Sequence, residues 1–205
     1  MATQSRLSAV VLAGGRGARM GAAKAALKFG ALTMLERIVG ELGREFSDIV
    51  VAAAPADIDP ITTALAARII HDEVAYAGPV GALARGLGAA AHDIVFACSC
   101  DLPMLNAKVA RSLCTMLPGF DAVIPEIGGK LQPLHAAYAR SAAIDGLEKM
   151  IAENEQRLTE IAGFINARIV PEVELRKLDP DLASFLNVNT PDDYRRALAM
   201  KKGAV

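Results

Sequence analysis

The stretch that most constrains the fold is residues 12–24, where a glycine-rich, basic segment directly follows the apolar run 9–12. Its four glycines remove side chains, so successive backbone N–H groups can turn toward one anion. Three cations, Arg16, Arg19 and Lys24, lie within nine residues, and no acid stands between them. This combination predicts a loop that binds phosphate groups at the end of a strand.

Neither of two common phosphate-binding motifs matches this loop. A P-loop needs Gly-Lys followed by Ser or Thr, but Gly21 precedes Ala22. A dinucleotide fingerprint needs its third glycine at Met20, and the nearest suitable acid, Glu36, falls inside a predicted helix. On these residues alone, a glycine-rich connection with incidental basic residues remains the alternative.

The remainder of the chain alternates between strand and helix patterns. Strands are predicted at 8–13, 48–54, 68–71, 93–98, 121–125, 134–139, 169–170 and 185–186, and helices at 33–46, 57–67, 79–91, 106–117, from about 141, and at 191–201. Thr33 with Glu36 predicts a capping box, and Thr190 precedes Pro191 as the cap of the last helix. The alternation predicts an α/β sandwich with a parallel sheet.

Composition narrows the class of protein. A chain of 205 residues suits one domain, and a net charge of −1 with mixed signs gives no case for nucleic-acid or membrane-surface binding. No apolar run reaches the roughly 18 residues that a membrane span needs, or forms a secretory signal. The three cysteines, Cys98, Cys100 and Cys114, fit a reducing compartment, since Cys-x-Cys alone does not complete a metal site. These features predict a cytoplasmic protein.

Polar residues follow several predicted strands, at the edge where ligands bind in such sheets. Asp101 comes just after an apolar strand and could hold Mg²⁺ together with substrate phosphates, or cap the turn at Pro103 or the helix from Asn106. Asp72 could contact a nucleotide or merely end a strand. We expect these residues and the glycine-rich loop to meet over one ligand.

Two further segments carry polar side chains. His135, one of three histidines, is expected to have a hydrogen-bonded structural role or to contact substrate, rather than to catalyse. Asn187 and Asn189 would share one side of a strand and could bind a polar heterocycle, with turn formation and helix capping around Thr190 as the alternative.

Five motifs together resemble the molybdenum cofactor guanylyltransferases, the MobA family, from about Leu12 to Tyr194. They are LAGGRGARMGAAK, GPVGALARGL, CDLP, PLHAAY and NVNTPDD. The first is shared by many nucleotidyltransferases, and the last two favour the molybdopterin branch. The resemblance implies a three-layer Rossmann-like fold with a mostly parallel sheet, and transfer of GMP from GTP to molybdopterin-bound molybdenum cofactor with Mg²⁺.

The resemblance also implies roles for individual residues, with a nucleotide half at about 1–105 and an acceptor half at about 106–205. The nucleotide would contact Leu12, Ala13, Gly14, Gly15, Lys24, Asp72 and Asp101; catalysis would use Lys24, Arg19 and Asp101, the last holding Mg²⁺; and the acceptor would contact His135, Asn187 and Asn189. Proteins that deliver the cofactor or accept the product are candidate partners.

One departure from the family pattern concerns the nucleobase. Family members commonly have an asparagine near the end of the second strand, whereas this chain has Ala52, Ala53 and Ala54. Since alanine supplies no side-chain hydrogen bond, a CTP-dependent cytidylyltransferase is one alternative. A nucleotide-binding subunit without catalytic activity is another.

Overall fold

An eight-stranded sheet organises the part of the chain that the computed structural model describes, residues 6–13, 24–53, 65–71 and 78–203. The strands in these ranges are β1 (Leu7–Leu12), β2 (Lys28–Phe29), β3 (Leu32–Thr33), β4 (Asp48–Ala53), β5 (Arg68–His71), β6 (Ile94–Ser99), β7 (Ala122–Ile127), β8 (Lys130–Leu131), β9 (His135–Ala139) and β10 (Ala167–Pro171). The helices are α1 (Met34–Leu42), α2 (Gly78–Ala89), α3 (Ala107–Thr115), α4 (Arg140–Ala152), α5 (Glu172–Leu175) and α6 (Pro191–Gly203). Short 3₁₀ turns lie at Lys24–Ala26, Leu158–Gly163 and Ala183–Phe185.

The sheet is mostly parallel, as predicted. Its order is β10-β7-β9-β6-β1-β4-β5, with β8 added on β7, while β2 and β3 form a separate hairpin. β1 pairs in parallel with both β4 and β6, and β5 continues in parallel from β4. β9 runs against both of its neighbours, β6 and β7. Consequently the ends of β1, β4, β5 and β6 and the start of β9 meet at one edge of the sheet.

Helices cover both faces of the sheet, which gives the three predicted layers. All six residues of β1 are buried, as expected for a central parallel strand. Alternate residues of β1 enter opposite cores, Val11 packing with α1 and α3 and Val10 with α2 and α4. The central strand is therefore fixed from both sides just before the glycine-rich loop begins.

Most predicted elements are confirmed within one to four residues. Thr33 caps α1 with the predicted capping box, its side chain accepting the Glu36 N–H while the Glu36 carboxylate accepts the Thr33 N–H. The helix ends at Leu42 rather than Phe46. Of the helix predicted at 57–67, residues up to 64 lie outside the described ranges, and residues 65–67 are not helical.

The strand predicted at 185–186 is wrong. Ala183–Phe185 is a 3₁₀ turn preceded by Leu182 with a left-handed φ of 52°. The N–H of Phe185 bonds to the Leu182 carbonyl and that of Leu186 to the Ala183 carbonyl, so these backbone groups are satisfied within the turn. A short apolar pair has the same pattern in a strand and in a buried turn, so the pattern of Phe185 and Leu186 could not distinguish the two.

Candidate functional site

The glycine-rich loop starts from a firmly held strand end. The N–H of Ala13 donates to the Ala52 carbonyl at 2.8 Å, and the Leu12 carbonyl accepts the Cys100 N–H at 3.0 Å. Gly14, Gly15, Arg19 and Asp72, which the sequence assigned to nucleotide binding or catalysis, lie outside the described residues, as does the side chain of Lys24. Among the predicted nucleotide contacts before Asp101, the structure therefore describes the side chains of Leu12 and Ala13. The backbone of Ala13 bonds to β4, and that of Leu12 bonds to Cys100 just after β6.

A cleft of about 450 Å³ opens at this edge of the sheet. Its walls come from the ends of β6 and α4, the start of α2, the loop before β9 and the segment before α6. The lining residues are Pro79, Ser99, Asp101, Leu102, Gln132, Pro133, Leu134, His135, Gln156, Arg157, Leu158, Thr159, Phe185, Asn187 and Asn189. Four predicted site residues, Asp101, His135, Asn187 and Asn189, thus lie around one cavity of the size that small-molecule sites have.

Asp101 lies in the turn that follows β6. The Ser99 hydroxyl donates to its Oδ1, and the Val188 N–H donates to its carbonyl oxygen at 2.8 Å. Helix α3 is capped by Asn106, whose Oδ1 accepts the Lys108 N–H at 2.9 Å. Since that cap is already supplied, the Asp101 carboxylate is not the helix cap that the sequence left open, and it lies at the cleft instead.

Asn187 and Asn189 both line the cleft, although they do not belong to a strand. The predicted alternation survives because Val188 between them is fully buried against Phe29, Met34 and Ala197. Thr190 and Asp193 cap the helix that follows this segment. The segment therefore orients both asparagines toward the cavity without sheet pairing.

His135 is almost completely buried at the cleft wall. Its ring lies 5.2 Å from that of Phe96 and 4.1 Å from that of Phe185, centroid to centroid, and its Nε2 lies 3.4 Å from the Ser184 hydroxyl. Ser184 Oγ also accepts the Asn106 N–H at 3.0 Å. Burial lowers the pKa of His135 to about 3, so the imidazole is neutral near pH 7. This environment favours the structural role that the sequence allowed.

Sequence reasoning missed Gln132, Gln156 and Arg157, which also line the cleft. The last two arrive because Asn154, with φ of 56°, turns the chain after α4. The Arg157 side chain is 71% exposed, and its guanidinium lies 3.1 Å from a Glu155 carboxylate oxygen. This hydrogen bond raises the pKa of Arg157 above its usual value. A basic residue two positions after a helix-ending Asn-Glu was the available signal, but it is typical of any solvated surface.

Within the described ranges, no group of three or more His, Cys, Asp or Glu side chains is arranged to hold a metal ion. The three cysteines are free and buried, and burial raises the pKa of Cys114 to about 12. None of the helices in the described part of the chain combines the length and the apolar character that crossing a membrane requires.

The fold is that of nucleotidyltransferases. The chain superposes on 2-C-methyl-D-erythritol 4-phosphate cytidylyltransferase from Thermus thermophilus with a TM-score of 0.72, over 97% of this chain and 100% of that one. The two sequences are 16% identical, so this similarity shows a shared fold and nothing about activity. Residues 9–167 match the family described as MobA-like NTP transferase domain, and the chain belongs to this family. Nucleotidyltransferases of this kind generally use a divalent metal ion.

Individual relatives agree with the family. The chain is 30% identical to a probable molybdenum cofactor guanylyltransferase of Pelotomaculum thermopropionicum, covering 95% of this chain and 93% of the relative. It is 32% identical to another of that description from Methanosarcina acetivorans, over 99% and 94%. Molybdopterin-guanine dinucleotide biosynthesis protein A of Archaeoglobus fulgidus is similar in structure, with a TM-score of 0.82 and 26% identity over 96% and 99%.

Proposed function

We propose that the protein transfers GMP from GTP to the phosphate of molybdopterin-bound molybdenum cofactor, forming the guanine dinucleotide and pyrophosphate. The observation that carries the proposal is that Asp101, Asn187 and Asn189 line one cleft at the sheet edge where the glycine-rich loop begins. The full-length similarity to molybdenum cofactor guanylyltransferases supports the choice of both substrates.

In this reaction an oxygen of the acceptor phosphate forms a bond to the α-phosphorus of GTP. The bond from that phosphorus to the oxygen bridging to the β-phosphorus breaks, and pyrophosphate leaves with the electron pair. A phosphate monoester with its second pKa near 6 is already largely ionised at neutral pH, so the attack needs no general base. A neutral His135 is compatible with this chemistry, which relies on positioning and on charge stabilisation.

The proposed roles divide the cleft between the two substrates. On the nucleotide side, Leu12, Ala13, Gly14, Gly15 and Asp72 contact GTP, while Lys24 and Arg19 bind the departing pyrophosphate. On the acceptor side, the amides of Asn187 and Asn189 bind the pterin beside His135, and Arg157 attracts the acceptor's negative charge. This division follows the chain, with the nucleotide half at about 1–105 and the acceptor half at about 106–205.

Asp101 is the residue that would hold Mg²⁺. A carboxylate at the cleft wall, oriented by the Ser99 hydroxyl, fits an ion that proteins usually bind through one or two carboxylates plus substrate phosphates. When bound, the ion would neutralise the oxygens around the transferring phosphorus. The chain's own contribution is to fix the Asp101 backbone through the Val188 N–H. We further propose a cytoplasmic protein, on the basis of the three free thiols.

Pyrophosphate release tests the proposal. The assay uses GTP, CTP, ATP and UTP, each with and without molybdenum cofactor and Mg²⁺, and turnover should require GTP, the cofactor and the ion together. Preference for CTP would favour the cytidylyltransferase, and GTP binding without any pyrophosphate release would favour the non-catalytic subunit.

Two substitutions assign the chemistry to residues. Asp101→Ala and Lys24→Ala should each lower turnover at least a hundredfold, because loss of one preorganised charge costs about 3–4 kcal/mol of transition-state stabilisation. Asp93→Ala is the matched control, since Asp93 precedes the same strand at the opposite edge and its side chain is 96% exposed. Near-normal turnover of folded Asp101→Ala would contradict the assignment.

A further inference from the structure

The acceptor segment, residues 187–190, precedes α6 and does not belong to the sheet, and its residues Asn187 and Asn189 line the cleft. Its N-terminal part is anchored by the hydrogen bond from the Val188 N–H to the Asp101 carbonyl and by the burial of the Val188 side chain. These contacts fix Val188. They do not bond the N–H groups of Asn189 and Thr190, which need a second anchor.

That second anchor is Asp193, in the first turn of α6. Its Oδ2 accepts two backbone N–H groups at once, from Asn189 at 3.0 Å and from Thr190 at 2.9 Å. In return, the Thr190 hydroxyl oxygen accepts the Asp193 N–H at 3.2 Å. An ordinary capping box bonds the cap residue, whereas here the same oxygen also holds the residue before it.

We propose that Asp193 is a positioning residue for the acceptor substrate, fixing the Asn189 backbone so that the Asn189 amide faces the cleft. The inference rests on the proposed function. Because Asp193 bonds the N–H groups of both Asn189 and Thr190, the peptide units on both sides of the Asn189 α-carbon are restrained. The amide is therefore oriented before the acceptor arrives, and binding costs less conformational entropy.

The neighbouring acid, Asp192, provides the contrast. Its side chain is 83% exposed and pairs with Arg195 on the same helix, so it restrains nothing in the acceptor segment. Asp193, in contrast, is charged at neutral pH, since hydrogen bonding with the Thr190 side chain and then with the Asn189 N–H holds the pKa of Asp193 below its usual value. The two adjacent aspartates thus differ in whether the carboxylate bonds the backbone of the acceptor segment: Asp193 does, and Asp192 pairs with Arg195 instead.

Steady-state kinetics on Asp193→Ala, Asp193→Glu and Asp192→Ala test this role. Asp193→Ala should raise the KM for the molybdenum cofactor about tenfold, equivalent to about 1.4 kcal/mol, with the KM for GTP within twofold. Asp193→Glu should recover most of the loss because glutamate also forms capping boxes, and Asp192→Ala should behave as wild type. Equal changes in both KM values, or in both alanine variants, would overturn the inference.

Amide hydrogen exchange in the full chain without substrates gives a second readout. The Asn189 and Thr190 amides should exchange faster in Asp193→Ala than in Asp192→Ala, and equal exchange would refute the inference whatever the enzyme's substrates are. Should Asp193→Ala not fold, Asp193→Asn offers the same comparison with weaker bonds. Failure of the wild type to use the cofactor would instead refute the proposed function and leave the exchange result standing.

Discussion

The contact between α2 and the central strand can be tested with two glycines of the same helix. A Cβ added at Gly86 would lie 2.5 Å from Val10 Cγ1, whereas one added at Gly88 would meet no atom within 4 Å. Val10 is fully buried in β1 and its β-branched side chain has restricted χ1 freedom, so it cannot move aside cheaply. Gly86→Ala should therefore force α2 away from the strand that leads into the glycine-rich loop.

The magnitude follows from two opposing terms. Alanine gains about 1 kcal/mol over glycine inside a helix, and this gain is common to both positions. Overpacking at Gly86 costs about 1–3 kcal/mol. We therefore expect Gly88→Ala to stabilise the fold by up to about 1 kcal/mol and Gly86→Ala to lie between neutral and about 2 kcal/mol destabilising. The difference between the variants, about 1–3 kcal/mol, isolates the clash.

Urea unfolding, extrapolated linearly to water, measures both free energies, with the slope checked for two-state behaviour. In thermal unfolding the same difference would separate the two midpoints by roughly 2–12 °C, at about 2–4 °C per kcal/mol for a chain of this size. Equal stability of the two variants would refute the reasoning, since the helix gain cancels between them and only the contact with Val10 remains.

Three further substitutions probe polar groups that are buried or half-buried. Tyr138→Phe should cost about 1–2 kcal/mol of unfolding free energy, because the buried Tyr138 hydroxyl donates to the Pro133 carbonyl at 2.7 Å, and retained stability in urea would contradict this. Burial, the largest influence, favours a higher pKa for Asp48, but hydrogen bonds led by that from Ser8 outweigh it and leave the pKa below 3.8. The ionised Asp48 carboxylate therefore stabilises the fold fully above pH 3.8, and this stabilisation is lost as the pH falls below that value. Asp48→Asn should lower the free energy of unfolding at pH 7, and the variant should lose less of that free energy than the wild type on acidification. His135 in the unfolded chain binds a proton below pH 6.5, whereas in the native state it does so only near pH 3. The free energy of unfolding should therefore decrease as the pH is lowered from 6.5 toward 3. His135→Gln should flatten that slope, and an unchanged slope would show that another group causes it.

The parts of the fold that the sequence predicted are those with local signals. The Thr33 capping box and the buried pattern of β1 depend on neighbours within a few residues, and both are confirmed. The acceptor segment is an intermediate case, since the alternation around Val188 predicted which side chains face the cleft although the strand itself was wrong. Here burial of one residue, rather than sheet pairing, enforces the period of two.

The parts that the sequence could not predict depend on contacts between distant segments. Arg157 reaches the cleft through a left-handed turn at Asn154, and no local pattern links that turn to the end of β6. The low pKa of His135 likewise results from Phe96 and Phe185, which are about 40 and 50 residues away.

The reversed strand β9 brings an additional loop to the edge of the sheet at which the cleft opens. In an all-parallel sheet only the loops that follow strands reach the carboxyl edge, and the loops that precede strands lie at the other edge. Because β9 is antiparallel to β6, with Cys98 opposite His135, the loop before β9 arrives beside Asp101. That loop supplies Gln132 and Pro133 to the cleft. The hydroxyl of Tyr138, within β9, donates a hydrogen bond to the Pro133 carbonyl. The reversal thus brings a second cleft wall to the edge at which the glycine-rich loop begins, which agrees with the proposed division of the cleft between acceptor and nucleotide.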